Sequence, residues 1–254
     1  QNSTGGNFCT LNPIMNDVPQ TTLTSEGNLK YYGTQSSAVS DSVIGSTISI
    51  PNTGKWYIEV LKVGDSGGTN IYGEFGIVDL DSITIGYATT GYGNSWIGIT
   101  GIGEHTFWYE PYNDGWFNKA LWGGTSTVGS GSRTAGNITG LLLDSDNGQI
   151  TIYINGSAWD STFSYPNLTT GTCMLMFSFW NNTGYCQYNM NFGQDSSFAG
   201  EKTAQNNTDD NGCGDFYYAP PAGYLALCTN NLADPSIALP GEHFNTVLYT
   251  GNGG

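Results

Sequence analysis

The stretch Leu141–Ser157 reads LLLDSDNGQITIYINGS. Ile150, Ile152 and Ile154 alternate with Thr151 and Tyr153, the period-two pattern of a strand with one face in a core. Asn155-Gly156 follows, a pair that supplies the positive φ angles of a tight hairpin turn. On the other side an apolar run ends in Asp146-Asn147-Gly148, a second turn signature. The stretch therefore predicts strands over Ile138–Asp144 and Gln149–Ile154 joined as a hairpin, with a second hairpin from Gln149–Ile154 to whatever follows Gly156.

The two aspartates raise a second reading, a calcium loop. An EF-hand loop needs oxygen ligands at positions 1, 3 and 5, Gly at 6 and Glu at 12. Counted from Asp144, those last three positions hold Gly148, Gln149 and Asn155. The pattern fails there, and Asp144 and Asp146 read as turn residues.

Working outward, short alternating or apolar runs recur between Gly/Asn/Asp/Ser turns. Expected strands are Val43–Ile50, Lys55–Val63, Tyr72–Asp79, Ile83–Ala88, Ser95–Thr100, Thr106–Glu110, Cys173–Trp180 and Cys186–Phe192. No window carries a helical stripe. Regular short strands with turns between them describe an all-β sandwich or barrel. Composition agrees: 37 of 254 residues are Gly, and only 11% are charged, against about 25% in ordinary domains. With 16 Tyr, 11 Phe and 7 Trp the chain has material for a real core.

Charge bounds the partners. Six basic residues stand against 21 acidic ones, a net charge of −15. Nucleic-acid binding needs Lys and Arg to neutralise phosphates, so that class is set aside, and an anionic membrane would repel the same surface. No apolar run approaches a membrane span. The start, QNSTGGNFCT, has neither a charged head nor an apolar stretch, which fits a processed product or a piece of a longer protein.

Residues 195–222 are polar and turn-rich, and are expected to be a loop or linker. Residues 223–254, with Pro235 and Pro240, are expected to be an extended arm. The five cysteines show no zinc spacing. If Cys173–Trp180 and Cys186–Phe192 form a hairpin, Cys173 and Cys186 lie far apart. Cys9 and Cys228 flank the expected domain, whose ends are often close. A Cys9–Cys228 disulfide, a Cys213–Cys228 disulfide and buried thiols all remain open.

Four motifs come in order: GKWYIEV (Gly54–Val60), FGIVDLD (Phe75–Asp81), ITGLLLDSDNGQITIYING (Ile138–Gly156) and YNMNFGQ (Tyr188–Gln194). Together they resemble the successive strands of the SPRY domain. The resemblance covers about residues 7–194 and implies a concanavalin-like antiparallel β-sandwich, SPRY-like, without enzymatic activity, that binds partner proteins through loops at one end. The flanks GNFCTLNP (Gly6–Pro13), FGQDSSFAG (Phe192–Gly200), DFYYAPPAGYLALCTNNLADPSI (Asp215–Ile237) and EHFNTVLYTGNG (Glu242–Gly253) are similar to those of SPRY-containing virion proteins of tailed bacteriophages. That similarity implies a tail-fibre or other structural protein on the particle surface. Its partners would be other virion proteins and a host-surface glycan or protein, and it would form a homo-oligomer. A head-decoration role is an alternative within the same resemblance.

Because some concanavalin-like sandwiches are glycosidases, the acids need inspection. Hydrolysis needs two carboxyl groups about 5 to 9.5 Å apart across the bond. The chain has seven Glu and no ExDxxE string. Asp79 and Asp81 are two apart, but at a strand end, where turn aspartates are common. His105 and His243, the two histidines, have no nucleophile motif beside them, and nothing calls for a cofactor.

The strongest binding signal is aromatic. Between Tyr87 and Trp122 rings interleave with Gly, Asn and Asp, as in GYGNSW and YEPYNDGWFN. Trp96, Phe107 and Trp108 fall on expected strands and read as core. Tyr92, Tyr112 and Trp116 fall in turn-like stretches, with Asp114 between the last two. Rings beside amides and carboxylates suit sugar faces and protein hot spots alike. These four are the candidate ligand-binding residues, against rim packing as the plainer reading.

Overall fold

The computed structural model describes residues 6–15, 22–35, 42–66, 72–82, 84–85, 99–100, 106–111, 116–121, 124–130, 135–159, 162–180 and 184–234. Among them the strands are β1 (Thr22–Ser25), β2 (Lys30–Gln35), β3 (Ser42–Gly45), β4 (Lys55–Ser66), β5 (Tyr72–Asp79), β6 (Thr84–Ile85), β7 (Ile99–Thr100), β8 (Thr106–Pro111) and β9 (Trp116–Leu121). They continue with β10 (Gly124–Ser130), β11 (Ile138–Asp144), β12 (Gln149–Ile154), β13 (Ser157–Ala158), β14 (Phe163–Ser164), β15 (Cys173–Trp180), β16 (Gly184–Asn191) and β17 (Leu225–Ala226). Among the described residues the only helices are short 3-10 turns.

The strands form two main sheets. The first runs β1-β2-β16-β4-β11-β12-β13 in space, with β14 beside β12 and β17 beside β4. The second runs β10-β9-β8-β5-β15-β3. Every pairing is antiparallel except β17 on β4.

The two expected strands of the opening stretch are β11 and β12, residue for residue, and they pair from Asp144↔Gln149 to Thr139↔Ile154. Asn155 (φ 50°) and Gly156 (φ 77°) turn the chain back so that Ser157 and Ala158 pair with Ile154 and Tyr153. Ile150 and Ile152 are buried in one cluster with Ile58 and Val60 of β4 and Leu141 and Leu143 of β11. Phe75 and Ile77 of β5, and Leu175 and Phe177 of β15, close that cluster from the second sheet. The Phe75 ring meets Phe177 at 5.5 Å and the edge of Tyr188, from β16, at 5.5 Å, separations at which ring pairs attract.

One expected pairing fails. β15 and β16 do not form a hairpin: β15 pairs with β5 and β3, while β16 pairs with β2 and β4. The chain crosses between sheets there, so Cys173 and Cys186 both point into the inner core. β1 and β2, both short and largely polar, were not among the expected strands.

β11 is buried at every position. Leu141 and Leu143 face the second sheet, and Leu142 faces the other way, into a separate cluster with Tyr57, Cys213, Phe216, Ala226 and Cys228. Leu61 and Ile138 pack likewise against Phe198. The first sheet is therefore covered on both faces, and the outer cover comes from the stretch after residue 194. Residues 195–222 lie against the sheet, with no named strand among them. β17, from the expected arm, enters the sheet itself. It lies along Trp56 and Tyr57 of β4, where β16, which meets β4 only from Glu59 onward, leaves that side open.

Candidate binding surface

The strand ends converge. In the first sheet Gln35 pairs with Gly184 and Ser66 with Tyr185. In the second, Tyr72 pairs with Trp180 and Ser42 with Phe179. Only a few residues lead from Gln35 to Ser42 (36–41), from Ser66 to Tyr72 (67–71) and from Trp180 to Gly184 (181–183), and short links cannot span the length of a sandwich. These ends therefore lie at one end of the two sheets. β8 runs antiparallel to β5, with Tyr109 opposite Phe75, so its last residue Pro111 points toward the same end. Pro111 pairs with Phe117, and Trp116 opens β9 beside it.

Of the candidate residues, Trp116 lies at this end. Trp116 is backbone-paired with Ser130 on β10, and its side chain lies outside the described residues. Tyr92, Tyr112 and Asp114 lie outside them altogether, as do His105 and His243.

The acidic candidates have structural duties. Asp144 accepts the Asn147 backbone N–H at 3.1 Å and its side-chain amide at 3.0 Å, and pairs with Lys55 at 2.9 Å. Burial opposes ionisation of Asp144, but these donors outweigh it and hold its carboxyl below the usual range. Asp146 accepts the Gly54 N–H at 2.8 Å. The two aspartates thus close the β11–β12 turn and tie it to the start of β4. At the end of β5, Asp79 accepts the Asn167 amide at 2.8 Å and the Asp81 N–H at 3.2 Å. Asp81 accepts both the N–H and the hydroxyl of Thr172. Among the described residues no three His, Cys, Asp or Glu side chains come together in a way that could hold a metal ion.

Glu59 was not a candidate from sequence. It sits at the centre of β4 on the outer face, fully buried. Its oxygens accept the Tyr217 N–H at 2.9 Å, the Tyr218 N–H at 2.8 Å, the Asn191 amide at 3.0 Å and the Tyr57 hydroxyl at 3.2 Å. Burial pushes its carboxyl up to about 7 against the pull of those donors. Asn191 also donates to the Asp215 carbonyl, and Asn189 donates to that of Phe198. These inward polar groups peg the 195–222 stretch to the sheet. The clue was an acid in mid-strand within KWYIEVLKV, facing the same way as Tyr57 and Leu61.

A second buried carboxylate, Asp209, joins the cover to β17. It accepts the N–H groups of Asn211, Cys213 and Ala226 and the amide of Asn231. At the far side the Tyr218 ring lies on the Asn155-Gly156 turn, so close that a Cβ on Gly156 would fall 2.6 Å from a ring carbon.

Cys9 and Cys228, the expected disulfide candidates, are both buried free cysteines here, as are the other three. Phe8 pairs with Cys228, and the Cys9 N–H donates to Leu227 at 3.0 Å. Along paired strands neighbours alternate in face. Cys9 and Leu227 therefore enter the inner core, while Phe8 and Cys228 face the outer cluster. Residues 8–9 and 227–228 thus meet, with the two thiols on opposite sides of the sheet.

No protein-family model matches the chain, and no curated protein matches it. Solved structures do. The TRIM65 PSpry domain aligns at 14% identity over 72% of this chain and 88% of that one, with a TM-score of 0.51. The SPRY domain of human HERC1 aligns at 13% identity over 71% and 96%, with a TM-score of 0.48. Stonustoxin aligns at 18% identity over 72% and 27%, with a TM-score of 0.47. The TRIM65 match shows the fold: an all-β, SPRY-like antiparallel sandwich of the concanavalin type.

Proposed function

We propose that this chain is a non-enzymatic binding module of a tailed-bacteriophage virion. In this reading it is a tail-fibre or other appendage component whose sandwich-end loops bind a host-surface glycan or protein. The residues after β17 reach neighbouring virion proteins. The observation that carries the binding reading is the distribution of cover. The central strands β4 and β11 of the nine-stranded sheet are covered on one face by the second sheet and on the other by residues 195–228, while four connections leave from a single end. A domain so covered has its end loops left for recognition, and loops on a rigid scaffold are where binding residues concentrate. The acids that could have formed a hydrolytic pair, Asp79 and Asp81, are held by Asn167 and Thr172. The virion context rests on the flanking segments that resemble phage proteins.

The test is binding to a glycan array and to whole host cells, wild type against a Tyr112→Ala, Trp116→Ala double variant. Wild type binds a defined ligand set, and the double variant loses at least about tenfold, the loss of roughly 1.4 kcal/mol expected for an aromatic contact. Equal binding by both proteins removes the assignment of these residues. Release of soluble product from a host polysaccharide, abolished by Asp79→Asn, overturns the non-enzymatic reading. Localisation to the capsid instead of the tail selects the head-decoration alternative.

A further inference from the structure

The outer cover brings two thiols together. Cys213 lies in the turn after Asp209, and Cys228 follows β17. Both are buried in one cluster with Tyr57, Leu142, Phe216 and Ala226. Asp209 sets their spacing. Its Oδ1 accepts the Cys213 N–H at 2.8 Å, and its Oδ2 accepts the Ala226 N–H at 2.9 Å. The Asp209 N–H donates back to the Cys213 carbonyl at 2.9 Å, and the Asn231 N–H donates to the Cys228 carbonyl at 3.0 Å. Both segments that carry thiols are thus fastened to one carboxylate and its neighbours. Cys9, Cys173 and Cys186 lie in the inner core, across the sheet.

We propose that Cys213 and Cys228 are a disulfide-forming pair, joined when the chain meets a small-molecule disulfide, and that the bond fastens the outer cover to β17. The Cys213 thiolate, from the more exposed of the two residues, attacks one sulfur of the oxidant and releases one small thiol. The Cys228 thiolate then attacks the Cys213 sulfur and releases the second. Two protein thiols and one small disulfide become one protein disulfide and two small thiols. Burial pushes the Cys228 thiol up to about 11, so the exchange is slow at neutral pH and faster in mild alkali. The closed loop is about fifteen residues long, so the bond stabilises mainly by restricting the unfolded chain. This inference stands apart from the proposed function, and neither falls with the other.

The experiment incubates the full chain with glutathione disulfide at pH 8.5, blocks remaining thiols under denaturing conditions and maps peptides by mass spectrometry. The expected product has lost two hydrogens, carries a Cys213–Cys228 cross-link and leaves Cys9, Cys173 and Cys186 alkylated. Its Tm rises by roughly 5–10 °C, reversed by dithiothreitol. Cys213→Ser and Cys228→Ser each abolish the cross-link. Five alkylated cysteines after oxidation, a glutathione adduct with no internal bond, or a cross-link through Cys9 would each overturn the proposal, and none of these readouts on the wild-type chain requires a variant to fold.

Discussion

Glu59 and Asn191 face one another across β4 and β16, and the asparagine amide donates to the glutamate at 3.0 Å with both side chains fully buried. Such a pair on the outward face of a sheet has meaning only because another part of the chain lies on top. Glu59 draws in the Tyr217 and Tyr218 N–H groups, and Asn191 draws in the Asp215 carbonyl.

Replacing Glu59 with Gln puts an amide nitrogen where donors already converge, so a backbone N–H loses its acceptor. We expect a loss of about 2–4 kcal/mol in urea unfolding. Hydrogen exchange should rise first at Tyr217 and Tyr218. A variant as stable as wild type, with those amides still protected, removes Glu59 as the anchor.

The same residue makes stability depend on pH. The Glu59 carboxyl is raised in the fold to about 7 from an ordinary value of 4.5. A raised acid favours the folded state while protonated in both states, so its contribution is full below about 4.5. It falls as pH climbs, because the unfolded chain ionises first, and has been lost once pH passes about 7. Asp144, held low, acts in the opposite sense: its contribution is present above its ordinary value of 3.8 and is lost in stronger acid. Unfolding free energies from pH 5 to 8 should decline for wild type and stay flatter for Glu59→Gln. Parallel curves would refute the assignment.

Leu142 separates a covered sheet from a half-exposed one. On an open outer face, Leu142→Ala would change stability by a few tenths of a kcal/mol. Beneath Phe216 and Ala226 it should cost about 2–5 kcal/mol, as much as Leu141→Ala in the inner core. Denaturant melts of the two variants, side by side, decide it.

Gly156 tests how the cover meets the hairpin turn. A methyl group there would have to adopt φ 77° and would strike the Tyr218 ring. Gly156→Ala should cost about 3 kcal/mol or more in wild type. In a Tyr218→Ala background the cost should fall toward the 1–2 kcal/mol, roughly, of left-handed backbone alone. Additive effects in the cycle would place the ring elsewhere.

Much of this architecture could be read from residue order. The 149–154 alternation and the turn at Asn155-Gly156 fixed β11 and β12 to the residue, and Tyr72–Asp79 and Cys173–Trp180 matched β5 and β15 as well. The cover was missed for a physical reason. Its pegs are Glu59, Asn189 and Asn191, polar residues alternating with apolar ones, and that pattern describes a solvent-facing sheet equally well. The hint lay in Leu141-Leu142-Leu143, a continuous apolar run that fits a strand buried on both sides. The assumed β15–β16 hairpin failed because a short link serves a tight turn and a crossing between sheets alike. Of the candidate ligand-binding residues, Trp116, expected in a turn, instead opens β9 at the end where strand ends converge, while Tyr92, Tyr112 and Asp114 lie outside the described residues.

β17 fills its place beside β4 only after residues 225–226 exist, and Phe8 bridges to Cys228 and the Cys9 N–H donates to Leu227 only once those residues follow. Those backbone pairings of Phe8 and Cys9 therefore wait until residues 227–228 have been made. Closure of this part of the domain depends on contacts between distant parts of the chain, and slow folding is the price.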